Sequence, residues 1–334
     1  MGTIHAGGRC RIMANVSARG NSDNISALYF ADVDFMCDGV TFEMGSTKLW
    51  RGITSSSDGT KLAAVVWDGN HGNTVSEGNI WTSTDSGANW TEVTSTGIMK
   101  KWFANTSSSD GTKLAATVWD GNIWTSTDSG ATWTENTFVG RTVTWYAITS
   151  SSDGTKLAAV DTGGNIWTST DSGATWTEDM SVGSTKPWKA ITSSSDGTKL
   201  AATVWEGNIW TSTDSGANWT EVNSTGIMKK WFGITSSSDG VKLAAVVWDG
   251  NIWTSTDSGA TWTEDTSVLG SKQWRGITSS SDGTNLASVV HGGNIWTFSA
   301  PSPPPPPPRP CTCCERSMKS FGFSVGAEDC DPEL

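Results

Sequence analysis

The chain has 334 residues, a formal net charge of −12, 36% hydrophobic residues, and 21 tryptophans against two tyrosines. That acidity excludes recognition built on neutralising phosphates, so nucleic acid is not an expected partner. No run of about 20 apolar residues is present, so no helical membrane span is readable.

The chain opens Met1-Gly2-Thr3-Ile4-His5-Ala6, which lacks the apolar centre of a secretory signal. Ala6 stands where a myristoylation signal requires Ser or Thr, so the sequence names no compartment.

From Trp50 onward one phrase dominates: Trp-x-x-Ile-Thr-Ser-Ser-Ser-Asp-Gly-Thr-Lys-Leu-Ala-Ala. It begins, with small changes, at Trp50, Trp102, Trp145, Trp188, Trp231 and Trp274. The spacing is 52 residues once and 43 thereafter, the excess coming from an insertion across residues 70–78 centred on His71 to Glu77. Gly97 to Phe103 recurs as Gly226 to Phe232, so a block of three repeats has been copied once.

Each repeat reads as four short strands. In the fifth copy these are Trp231 to Ser237, Lys242 to Trp248, Ile252 to Thr256 and Thr261 to Thr263. Asp-Gly and Ser-Gly turns separate them. A single sheet of this kind cannot bury its faces in water, so the copies must stack. A 43-residue, four-stranded period fits the blade of a β-propeller, whose radial repetition protects its edges. The expected fold is all-β: a six-bladed β-propeller spanning residues 39–299.

The sixth copy ends after three strands, at Phe298-Ser299-Ala300-Pro301. Upstream, Cys37 to Glu43 looks like a worn outer strand, so residues 39–44 are expected to complete the last blade and shut the ring. Residues 1–38 are then a poorly ordered segment or degenerate blade; the rival reading is that residues 1–44 form a decayed seventh blade. Prolines 303–308 mark 300–310 as a linker, and 311–334 as a disordered, Cys-containing tail.

The six cysteines, at 10, 37, 311, 313, 314 and 330, lie outside the repeats, and none of their spacings matches a structural zinc site. With histidines only at 5, 71 and 291, no metal and no cofactor is expected. Nothing in the sequence sets an oligomeric state.

Five octets fit Ser-x-Asp-x-Gly-x-x-Trp: Ser83 to Trp90, Ser126 to Trp133, Ser169 to Trp176, Ser212 to Trp219 and Ser255 to Trp262. In them the repeat region resembles the Asp-box, or bacterial neuraminidase repeat, family. The resemblance implies fold devices at Asp85, Asp128, Asp171, Asp214 and Asp257: Asp accepts turn amides, Gly takes a positive φ and Trp closes the hairpin. Proteins with this repeat include sialidases, sortilin-type receptors, glucan hydrolases, propeller lectins and photosystem II assembly factors. The sialidase reading lacks its parts, because the family's tyrosine–glutamate pair and arginine triad have no match among Tyr29, Tyr146, Arg51, Arg141 and Arg275. No catalytic residue is assigned, and a glycoside hydrolase is the least supported alternative.

Strand parity places the second-to-third turns and the blade connectors on one face. That face carries Trp67-Asp68, Trp119-Asp120, Trp205-Glu206 and Trp248-Asp249, with Lys101 and Lys230 beside them; Thr162-Gly163 and His291-Gly292 fill the remaining two places. Lys186 and Lys272 are expected there too. An indole beside a carboxylate suits a sugar, whose C–H face stacks while its hydroxyls bond the acid. The first functional expectation is therefore a lectin-like, glycan-binding propeller. The alternative is a protein-interaction scaffold using the residue after each leading Trp: Arg51, Phe103, Tyr146, Lys189, Phe232 and Arg275.

Overall fold

The computed structural model describes residues 10–16, 30–37, 40–42, 48–68 and 78–299, all within the unit Met1–Ser299. The insertion around His71, the proline linker and the cysteine tail lie outside the described residues. Every regular element described is a β-strand, and copies one to five each form a four-stranded antiparallel sheet in chain order. The architecture is the expected all-β propeller of repeated sheets.

Copy five shows the unit. Its strands are Lys229–Ser236, Leu243–Gly250, Ile252–Ser255 and Thr263–Asp265. The outer strand begins at Thr263 rather than Thr261, because the preceding turn holds the chain. The Asp257 carboxylate accepts both the Thr261 amide (2.9 Å) and its hydroxyl (2.6 Å). The Trp262 indole donates back to the Gly259 carbonyl at 3.0 Å. Within the octet, the Ser255 hydroxyl donates to Asp257 (2.8 Å) and accepts the Gly259 amide (2.9 Å). Two consecutive residues, Ser258 (φ 60°) and Gly259 (φ 88°), take the left-handed conformation.

The stacking of copies explains the apolar pattern. In the second strand both faces are buried, so Leu62, Ala63, Ala64, Val65 and Val66 are all covered. Ala63, Val65 and Ile80 of copy one receive Trp102, Ala116 and Val118 of copy two in a single cluster. Small residues on one sheet thus accommodate large rings from the next. Trp102, Trp145, Trp188, Trp231 and Trp274 are at most 1% exposed. Their ring edges meet the third-strand tryptophans, as in Trp188 against Trp210 at 6.4 Å between centroids. The buried indole N–H groups of Trp145, Trp188 and Trp274 donate to the carbonyls of Gly121, Gly164 and Gly250 in the preceding copies.

Successive sheets are also laced by backbone bonds at the Ser-Ser-Asp-Gly turns. The middle serine amides donate from copy to copy: Ser57 to Ser109, Ser109 to Ser152, Ser152 to Ser195, Ser195 to Ser238 and Ser238 to Ser281, all at 2.7–2.8 Å. Lys61, Lys199 and Lys242 add side-chain bonds to the Asp carbonyl of the following turn at 3.0 Å.

The two ends depart from expectation. Val40–Phe42 is not the outer strand of the last blade; it pairs with Phe30–Cys37, which pairs in turn with Cys10–Val16 and, through Phe30, with Trp50. A neighbouring strand costs little loop-closure entropy, whereas reaching the sixth copy spans most of the chain. Ile295–Ser299 ends its sheet among the described residues. No described strand follows on the far side of copy six, where Ile295 is 44% exposed, while Ile80, Ile123, Ile166, Ile209 and Ile252 are at most 2% exposed.

Candidate functional site

One face gathers the turns that follow each second strand. They lie against the connectors entering the next copy, through the pairs Thr162–Pro187, Trp205–Lys230 and Trp248–Gln273, and through bridges Gly78–Lys100 and Gly121–Val143. The acid of three Trp–acid pairs sits where the backbone turns left-handed: Asp120 (φ 52°), Glu206 (φ 54°) and Asp249 (φ 56°), matched by Gly163 (φ 86°) and Gly292 (φ 63°). Asp tolerates this conformation far better than most residues, so the turn itself explains much of the choice. Asp120, Glu206 and Asp249 are exposed, and the side chain of Asp68 lies outside the described residues. Asp120 accepts the hydroxyl of Thr144, and Glu206 lies 3.7 Å from Lys230.

The four indoles do not stand as free platforms. They interleave with the residues that follow each leading Trp. Trp67 meets Phe103 and Trp119 edge-on at 5.6 and 5.5 Å, and Phe103 lies 5.0 Å from Trp119 and 4.9 Å from Tyr146. Trp205 meets Phe232 at 6.1 Å, Phe232 meets Trp248 at 5.9 Å, and Trp248 meets His291 at 5.7 Å. Cations cover the ring faces: Arg51 on Trp67 (4.8 Å) and Phe103 (4.3 Å), Lys189 on Tyr146 (4.2 Å) and Trp205 (5.4 Å), and Arg275 on Trp248 (4.1 Å). Lys101 and Lys230 lie over Trp67 and Trp205 at 6.0 and 5.8 Å. Two sets of residues that the sequence leaves separate thus form one belt of alternating rings and cations.

Lys186 and Lys272 are not part of this belt. One residue further from the leading Trp than Lys101 or Lys230, they point to the other side of the strand and cover Trp210 and Trp296, both at 4.9 Å. Lys48, Lys100 and Lys229 do the same for Trp81, Trp124 and Trp253. The two-residue periodicity of a strand separates the two groups.

The third copy breaks the pattern. Asp161 stands where the other copies carry Val66, Val118, Val204, Val247 and Val290, and it is 7% exposed. Burial, with Glu178 and Asp120 nearby, pushes its carboxyl up to about 6 against the opposing pull of Arg141. Aligning the repeats exposes this residue at once, although its neighbour Thr162-Gly163 is the more conspicuous change. A raised folded pKa means that stability is fully present below the unfolded value and is lost as pH rises through 6. Asp161→Val is therefore expected to raise stability at pH 7 by ~1–3 kcal/mol, the cost of burying a polar group that Arg141 only partly offsets. The gain should shrink as the pH is lowered to 4, and paired urea titrations at the two pH values would measure it.

Beyond the belt, the connectors form a rim. Among the described residues the exposed large hydrophobics are Ile98, Met99, Phe138, Met180, Ile227, Met228, Leu269 and Ile295. All but Ile295 lie in connectors between copies, and Ile227 and Leu269 are 83% and 90% exposed. No group of metal-ligating side chains occurs among the described residues, and no described helix is long and apolar enough to cross a membrane.

No protein-family model matches the sequence, and no curated protein sequence matches it. Similarity appears among solved structures. YCF48 from Cyanidioschyzon merolae superposes with a TM-score of 0.58 at 13% identity, covering 81% of this chain and 92% of that one. A catalytically inactive virginiamycin B lyase from Staphylococcus aureus, with quinupristin, gives 0.67 at 19% identity, covering 88% and 100%. An ancestral GH74 enzyme gives 0.56 at 13% identity, covering 76% of this chain but 37% of that one. At these identities the shared property is the propeller fold, and a fold by itself does not select a function.

Proposed function

We propose that the chain is a non-catalytic binding propeller that engages a protein partner through its connector face. The observation that carries this reading is the concentration of exposed apolar side chains on that rim, where seven of the eight among the described residues lie, since exposed apolar surface of this kind marks interaction sites. Methionine, aromatic and arginine side chains beside it match the composition of protein interfaces. The glycan reading has less support, because cations and neighbouring rings lie over the indole faces a sugar would need.

A photo-crosslinking amino acid at Ile227 or Leu269, compared with one at Val241 near the opposite turns, tests the reading. One protein partner should be captured from the two rim positions and not from Val241. Ile227→Asp with Leu269→Asp should weaken binding of that partner by about tenfold or more, roughly 1.4 kcal/mol per factor of ten. Equal capture from both faces defeats the proposal. So would strong signals on a glycan array that vanish in a folded Trp67→Ala, Trp119→Ala, Trp205→Ala, Trp248→Ala variant.

A further inference from the structure

At the centre of the repeats a cavity of about 230 Å³ is lined by first-strand segments of all six copies. Arg51, Phe103, Tyr146, Lys189, Phe232 and Arg275 occupy the same position in successive copies, so three cations and three rings share its wall. No carboxylate is among the described lining residues. Arg51 and Arg275 are held on ring faces and have further interactions of their own. Lys189 is different. Its ammonium lies over Tyr146 and Trp205 and is in no ion pair among the described residues. Burial, then Arg275 and Arg51, bring its pKa down to about 8.

We propose that this cavity binds a small organic oxyanion, with the charged head on Lys189 and a planar body against the cavity's apolar wall. An anion is the occupant that relieves the like-charge repulsion on the lysine. Rings and alanine walls, Ala104 and Ala190, suit an apolar body better than a bare ion. The volume agrees: a dry pocket of about 150 Å³ holds benzene, so this one has room for a ring and its head group. The site uses first-strand residues of the copies and not the apolar rim, so either reading can fail alone.

Titration calorimetry of the full chain with phenyl phosphate, benzoate and inorganic phosphate provides the test. Phenyl phosphate or benzoate should bind at pH 7, the stronger of the two identifying the head group. Lys189→Met should weaken binding at least tenfold, Lys189→Arg should retain it within a few-fold, and Lys199→Met on the opposite turns should leave it unchanged. Affinity should also fall between pH 7 and pH 9.5 in the unaltered chain as Lys189 loses its proton. Of the other groups facing Lys189, Arg51 and Arg275 are guanidinium groups, which keep their charge in proteins even where burial lowers Arg275, and Tyr146, raised by burial, stays neutral. Absence of binding by either aromatic anion overturns the proposal, as does an affinity unaffected by both Lys189→Met and pH. Inorganic phosphate binding as tightly as phenyl phosphate would remove the planar body from it.

Discussion

Acidification below pH 4 is expected to unfold the chain in one steep step, with stability passing through a maximum between pH 4 and 5. Eleven aspartates cause the fall. Asp58, Asp110, Asp153, Asp196 and Asp282, in the turns after the first strands, are held down to about 2 by a serine hydroxyl, then by the amide and hydroxyl of a threonine two residues on. Asp239 is lowered by Ser237 and by the Val241 amide. In the octets, Thr132, Thr175, Asn218 and Thr261 lower Asp128, Asp171, Asp214 and Asp257. In Asp85, burial opposes the same kind of bonds from Asn89 without reversing them. A depressed folded pKa gives stability that is present above the unfolded value near 3.8 and lost as pH falls through the folded value, about 2 for Asp58, Asp110, Asp153, Asp196, Asp257 and Asp282. Between those limits the unfolded chain takes up many protons that the folded chain refuses, which makes the slope steep. Asp161 acts with the opposite sign between pH 6 and 4, and sets the maximum. Melting temperatures at half-unit steps from pH 7 to pH 2, at constant ionic strength, would follow the curve. A flat profile down to pH 2 would show that these carboxylates are not held as described.

Trp188→Ala is expected to destabilise the fold by ~3–5 kcal/mol, the usual cost of removing a fully buried large ring. Trp188 has no measurable exposure, donates to the Gly164 carbonyl of copy three at 3.2 Å, and meets Trp210 edge-on. Its loss would leave a cavity between two blades together with an unpaired carbonyl, neither of which rigid sheets can close. The melting temperature should drop by on the order of 10 °C, given the few degrees per kcal/mol typical of domains this size. Trp205→Ala removes the same ring from the partly exposed belt and should cost less than half as much. Chemical denaturation of both variants would compare them, and equal losses would mean that the first-strand rings do not carry the blade-to-blade packing. Because each copy contacts chiefly its neighbours, Trp188→Ala should also broaden the transition as the array loses cooperativity at one junction.

The repeat made the fold legible. A fixed period with an identical phrase states which residues are equivalent, and equivalence around an axis nearly dictates a stack of sheets. The same property limits what can be read. Periodicity says that Trp67 corresponds to Trp205, but not that Trp67 meets Phe103 of the next copy with Arg51 over its face. Those contacts are radial and come from different copies, so the belt became visible only with the sheets in place. The apolar rim was hidden for another reason: Ile227 and Leu269 look like ordinary hydrophobics until the connector leaves them with nothing to pack on. The closing strand failed because a local hairpin competes with a distant partner on better entropic terms. Asp161 was legible in the sequence, since a carboxylate stands there in a repeat position otherwise held by valines.

The serine-to-serine amide bonds that run from one turn to the next have a consequence for how this architecture can change. Each rung joins identical chemistry to identical chemistry, so a gene duplication that adds a unit of 43 residues inserts a rung without rewriting its neighbours. Extra residues on that side would break the staircase, whereas on the opposite side the pairs that join copies, such as Gly78–Lys100 and Gly164–Lys186, lie at the base of the turn and leave its tip free to lengthen. Growth in copy number and growth in loop length are thus assigned to opposite ends of the same sheets. The nine-residue excess in the first copy follows that division, falling after a second strand and away from the serines.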